Sequence, residues 1–132
     1  MTAFVDSNVL VRHLTGDPPG QAARATAALR SGETLVLVDL IVAEVVLVLE
    51  SVYEVEPSRV AELVRSMLTF PTITVADPPL LFRALELYEQ HRIHFADSYL
   101  AACAEYSGVG RVMSFDRELG RAATIERVEP RG

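Results

Sequence analysis

"TLVLVDLIVAEVVLVLE", residues 34–50, joins two hydrophobic patterns without a break. Its first five residues, "TLVLV", read as a β-strand, and residues 39–53 continue as a helix with Asp39 as its cap. A strand that runs straight into a helix is half of a β-α-β unit. The same stretch holds an anomaly: Glu44 stands inside a run of ten residues that is otherwise entirely aliphatic. An ionised carboxylate among Leu40, Ile41, Leu47 and Val48 is unfavourable unless something pairs with it. The spacing therefore poses the question of Glu44's partner.

Working outward, "TAFVD" (2–6), "ITVA" (73–76), "RVMSF" (111–115) and "IERV" (125–128) are further short β-rich runs. Helical patterns lie between most of them. One begins at "DSN" with Asp or Ser as its cap and ends by "TGDPP"; another covers "GQAARATAALRSG", with Gly32 as its stop. "PSRVAELVRSMLTF" and "PPLLFRALELYEQH" each open with proline at the first turn, Asp77 falling in the turn before the second. "HFADSYLAACAEYSG" ends at Gly108. Strands alternating with helices imply an α/β fold with a parallel sheet and helices on both faces. There is no internal repeat, low-complexity tract or domain-scale linker, so residues 1–132 read as a single domain.

Charge and composition exclude several functions. The chain carries a formal charge of −6, which disfavours a broad phosphate-gripping surface, and all 12 basic residues are arginine. Without lysine there is no P-loop, no Schiff base and no receiver-type acidic pocket with its lysine. "MTAFVDSNVL" has neither the basic region nor the cleavage site of a signal peptide, and the most apolar stretch is interrupted by Asp39 and Glu44. A cytoplasmic protein with no membrane association is the expectation. Cys103, the single cysteine, reads as a small apolar core residue, and Tyr88, Tyr99 and Tyr106 have helical spacing consistent with packing.

In a parallel sheet, strand C-termini and the N-termini of the returning helices share one edge, where ligands bind. Asp6 and Asp116 follow strands, while Glu44 and Asp97 lie in the first turns of helices that begin at that edge. Four carboxylates directed at one region repel one another and resist ionisation. An oxygen-binding divalent cation, Mg²⁺ or Mn²⁺, is the natural partner. His13, His91 and His94 form no zinc motif. Each acid also has a plainer reading: Asp6 and Asp116 as helix caps, Asp97 as a first-turn acid, and Glu44 as the partner of an arginine such as Arg12.

"FVDSNVLVRHL", "IVAEVVLVL", "HFADSYLAACA" and "VMSFDREL", in this order and spacing, resemble the PIN-domain ribonucleases, specifically the VapC toxins of type II toxin-antitoxin systems. The resemblance covers nearly the whole chain. It implies a PIN-like three-layer α/β/α sandwich with a central parallel sheet, and a Mg²⁺- or Mn²⁺-dependent endoribonuclease whose metal-activated water cleaves RNA, with tRNA or rRNA as substrate. The products would carry a 5′-phosphate and a 3′-hydroxyl. The family's acidic set falls on Asp6, Glu44, Asp97 and Asp116, as metal ligands and catalytic residues. Asn8 and Ser114 match small polar positions that orient the ligands. His94 departs from the common pattern, which has an acid there. The implied partners are a VapB-like antitoxin covering the acidic groove, RNA, and a second copy in a homodimer. Arg12, Arg92, Arg117 and Arg121 are candidates for RNA phosphate. The alternatives are a non-catalytic PIN-like module that binds RNA or protein, and a haloacid-dehalogenase-type phosphohydrolase, against which "DSN" lacks the required second aspartate.

Overall fold

The structure, a computed structural model, describes residues 1–131. The chain forms two compact units, Met1–Ala76 and the segment from Asp77 onward. In the first unit the order is β1 (Thr2–Phe4), α1 (Ser7–Thr15), α2 (Pro19–Leu29), β2 (Thr34–Val36), α3 (Asp39–Ser51), α4 (Pro57–Leu68) and β3 (Ile73–Thr74). The second unit contains α5 (Pro78–His91), α6 (Phe95–Ser107), β4 (Arg111–Met113), a 3₁₀ turn (Arg117–Arg121) and β5 (Glu126–Val128). No helix among the described residues is long and apolar enough to cross a membrane.

Every strand pairing is parallel, as the alternation requires. The first unit holds a three-stranded sheet in the order β1-β2-β3, with Ala3 opposite Leu35 and Leu35 opposite Ile73. In the second, β4 and β5 pair with Val112 opposite Arg127. The ladders are shorter than the β-rich runs, spanning two or three residues each. Val5 and Leu37 still donate backbone hydrogen bonds to Val36 (3.0 Å) and Thr74 (2.9 Å), which extend each strand by one residue before the helix begins.

Helix ends follow local chemistry. Asp6 caps α1, whose last turn closes on Gly16 in the left-handed region at φ 73°, its N–H bonded to the Arg12 carbonyl at 2.8 Å. The second helix stops at Leu29, earlier than the expected Gly32, which lies just beyond it at φ 86°. Asp39 does not cap α3: Val38 occupies that position and Asp39 is the first helical residue. Asp77 does cap α5, accepting from the Leu80 N–H at 3.2 Å. Three helices, α2, α4 and α5, open with proline, which supplies helical φ where no N–H donor is needed.

In the first unit α1 packs on α2, α3 and α4, and α3 on α4, burying Leu10, Val42, Val45, Leu49, Val60 and Val64. The second unit is built on the α5–α6 pair, with Leu81, Leu85 and Ala101 buried. Tyr88 is buried edge-on against Phe95, whereas Tyr106, expected to pack, is half exposed and only its hydroxyl is held, at 3.3 Å from the Pro79 carbonyl. Cys103 is partly exposed.

A forked ion pair clamps α5 to α6. The Arg83 guanidinium donates through Nε to Glu105 Oε1 at 2.7 Å and through an Nη to Oε2 at 2.9 Å, and Arg83 also pairs with Glu86. Thr124 donates a further bond to Glu105. Arginine's hydrogen bonds hold the Glu105 carboxyl below the usual carboxylate range, against the opposing effect of burial. Glu105→Gln should destabilise the protein by about 1–2 kcal/mol at neutral pH. A carboxylate with a depressed folded pKa stabilises above its unfolded pKa, and that contribution is lost as pH falls through the folded value. Urea denaturation should therefore show the difference between wild type and Glu105→Gln shrinking on acidification.

Candidate metal centre

In the first unit, Asp6 follows β1 at its carboxyl end and α3, carrying Glu44, starts after β2. The Asp6 carboxylate accepts from the Ser7 N–H at 2.8 Å, and the buried Ser7 side chain turns the other way, donating from Oγ to Glu44 Oε1 at 2.7 Å. One residue thus ties the strand end to α3. Asp6, Ser7, Glu44, Asn8, Arg12 and Asp17 line a cleft of about 490 Å³, and the Tyr53 hydroxyl donates to Asp17 across it at 2.9 Å.

Glu44 is not buried among aliphatic side chains as its sequence neighbours imply. It lies on an open face of α3 with Leu40 (77% exposed) and Leu47 (54% exposed), the three spaced i, i+4 and i+7. The residues packed against α1 and α4 are Val42, Val45, Val46 and Leu49. A helix that is aliphatic all round gave no sign of which side faces out. Nor is Glu44 paired with Arg12: its hydrogen-bond partner is a hydroxyl.

In the second unit, Asp97 lies in the first turn of α6, and Asp116, three residues beyond β4, caps the 3₁₀ turn by accepting from the Glu118 N–H at 2.9 Å. Asp97, Asp116 and Glu118 each present a carboxylate oxygen, all within 4.8 Å of one another. Asp97 titrates above the ordinary aspartate range. Burial is the first cause, followed by a hydrogen bond from its carboxyl to Asp116, repulsion by Asp116 and, more weakly, repulsion by Glu118; the charge of His94 opposes the shift. The three carboxylates face the Arg121 guanidinium, 3.3 Å from Glu118, which leaves the trio with a deficit of positive charge. An all-oxygen donor set with that deficit suits Mg²⁺ or Mn²⁺.

Ser114 Oγ accepts from the Asp116 N–H at 2.9 Å, which fixes the turn that presents Asp116. Asn8 is exposed on α1 and bonds neither Asp6 nor Glu44; among the described residues the contact to Glu44 is made by Ser7. His94 sits at the cap position of α6, exposed and without a capping hydrogen bond. Two residues escaped the sequence reading. Ser7 carried a signal, a hydroxyl beside a strand-end aspartate, but "DSN" offers two such side chains. Glu118 is brought beside Asp97 and Asp116 by a 3₁₀ turn whose geometry no periodicity announces.

The PIN domain family model matches residues 3–125. No curated protein matches the chain. Among solved structures, a match described as the crystal structure of VapBC2 from Rickettsia felis bound to a DNA fragment from their promoter is 15% identical, with 98% of each chain covered and a TM-score of 0.39.

Removing one carboxylate should relieve repulsion while weakening cation binding. Asp116→Asn keeps a capping side chain for the 3₁₀ turn. The metal-free variant should melt higher than wild type at neutral pH, and calorimetry should show Mn²⁺ binding about tenfold weaker. A variant that melts lower and binds Mn²⁺ as wild type does would show that the trio holds no cation.

Proposed function

The chain belongs to the PIN-domain family, and from that premise we propose that it is a divalent-metal-dependent endoribonuclease of the VapC toxin type, a single PIN domain acting on RNA. PIN domains are generally nucleases. The observation that carries the reading is the carboxylate trio Asp97, Asp116 and Glu118, drawn within 4.8 Å of one another with Arg121 paired to Glu118 alone, in a chain that matches the family over residues 3–125. Four motifs in register support Asp6, Glu44, Asp97 and Asp116 as the reaction's acidic set.

The chain's own groups have distinct tasks in this reading. Asp97 and Asp116 would hold Mg²⁺ or Mn²⁺, with Glu118 adding a third carboxylate. Ser114 fixes the turn that presents Asp116, and Ser7 aims Glu44 by a hydroxyl hydrogen bond that adds no positive charge. A bound divalent ion would supply activation of water and neutralisation of charge on a phosphodiester. The bonds broken and formed are those of phosphodiester hydrolysis, leaving a 5′-phosphate and a 3′-hydroxyl by family analogy.

The VapC likeness of the motifs also supports a VapB-like antitoxin as partner, a homodimer, and action in the cytoplasm on tRNA or rRNA. An antitoxin arginine entering the acidic cleft would compete with the cation there. Asn8 remains a residue that could contact substrate or water from the rim of that cleft.

A pool of tRNA and rRNA incubated with antitoxin-free wild type and with Asp97→Asn, in Mg²⁺, Mn²⁺ or EDTA, tests the assignment. Wild type should give discrete fragments only with metal, and Asp97→Asn should cleave at least about 10²-fold more slowly. Full cleavage by Asp97→Asn would remove that residue from the chemistry. Folded wild type that neither cleaves nor binds metal would make the domain a non-catalytic binding module.

A further inference from the structure

We infer that the cleft between α1 and α2 is a phosphate subsite, built on Arg12 and Arg24, that holds an RNA backbone phosphate beside the acidic cleft of Asp6 and Glu44. The inference rests on the nuclease reading above and deepens it by assigning part of the RNA-binding surface.

Two clefts lie side by side in the first unit. The acidic one is lined by Asp6, Asp17 and Glu44. Its neighbour, about 450 Å³, is lined by Asn8, Arg12, Gln21, Arg24, Ala25 and Ala28 together with Val9, and no acid lines it. The two share Asn8 and Arg12 as a common wall. Along a surface that opposes phosphate, the second cleft is a local reversal of sign.

The state of its two arginines supports a ligand. Elsewhere in the chain Arg59, Arg83, Arg121 and Arg127 are paired with carboxylates, while Arg30, Arg92, Arg111 and Arg117 are in no ion pair among the described residues but do not line this cleft. Arg12 and Arg24 are in no ion pair among the described residues, although Asp6, Asp17 and Glu44 line the cleft that Arg12 also lines. The Arg12 Nε–H is shielded from solvent with no hydrogen-bond partner. An unpaired donor of that kind is an unfavourable feature that an incoming oxyanion would offset. Guanidinium forks match phosphate geometry, and Gln21 and Asn8 add neutral donors beside them. Small side chains at Ala25 and Ala28 leave room on the α2 wall. RNA supplies what the second cleft demands: regularly repeated anions, of which one meets the two arginines. Phosphate contacts of this kind position the strand without reading its sequence.

The test uses the full-length protein carrying Asp97→Asn, so that RNA is not consumed, with a short fluorescein-labelled single-stranded RNA in Mg²⁺. Affinity is measured by anisotropy across a salt series for Arg12→Gln, Arg12→Lys, Arg24→Gln and, as a charge-loss control away from the cleft, Arg59→Gln. Arg24 is exposed, so its substitution does not threaten the fold. Arg12→Gln and Arg24→Gln should each weaken binding roughly fivefold and lower the slope of log K against log salt by about 1. Arg12→Lys should restore most of the slope, and Arg59→Gln should match the parent. A merely structural role for Arg12 would not return the slope with lysine. Unchanged affinity and slope in both glutamine variants would overturn the subsite and leave the cleft to a protein partner; a parent protein that binds no RNA would overturn it as well. Cleavage by the protein with Asp97 intact is scored separately, so loss of the subsite and loss of the nuclease reading give different results.

Discussion

Parallel pairing is the constraint on which the rest depends. Two neighbouring strands can run in the same direction only if the chain returns through a crossover, supplied here by helices in the first unit and by the 3₁₀ turn between β4 and β5. Within each unit this puts strand ends and helix starts on a common edge: Asp6 after β1 meets the start of α3 through Ser7, and Asp116 after β4 meets the start of α6 at Asp97. Helix N-termini favour negative charge, which partly offsets the crowding of acids. They do not cancel it, and Asp97 titrates above the ordinary aspartate range.

Two glutamates show how the chain separates structure from site. Glu105 is held by a forked arginine and a threonine, and its carboxylate is committed to clamping α5 on α6. Glu44 is held by a serine hydroxyl instead. Arginine fixes a carboxylate by neutralising it, whereas a hydroxyl fixes its direction and leaves the charge uncompensated. The same device recurs at Asp116, whose backbone is held by Ser114. Orientation without neutralisation suits the cation-binding role proposed for these carboxylates.

How much of this was legible in the sequence depends on whether a feature is periodic. The β-α alternation, the proline-led helix starts and the stop at Gly108 are local signals, and the structure follows them within a few residues. That Asp6 and Asp116 follow strands and Asp97 opens a helix was legible because strand ends and first turns are positions that sequence can place. Glu44 was found for an incomplete reason. Its aliphatic neighbours suggested burial, but only the Val42, Val45, Val46 and Leu49 face of α3 is packed, and Leu40 and Leu47 flank Glu44 in the open. When every residue around a helix is apolar, periodicity carries no information about which face is outward. Tyr106 illustrates the same limit from the other side, with core-like spacing and an exposed ring. Glu118 and Ser7 depend on a 3₁₀ turn and on one rotamer, and neither leaves a repeat in the chain.

Net charge gives the coarsest account of binding, and its arrangement gives a finer one. A formal charge of −6 opposes a polyanion only where the acids face it. In the first unit the acids line one cleft and two unpaired arginines line the next, with Asn8 and Arg12 as the shared wall. An acidic protein can engage RNA on such a surface because each phosphate meets a local field rather than the molecular total. The same arrangement limits affinity to a few contacts. If the proposed subsite holds RNA, binding that rests on so few phosphates is readily reversed.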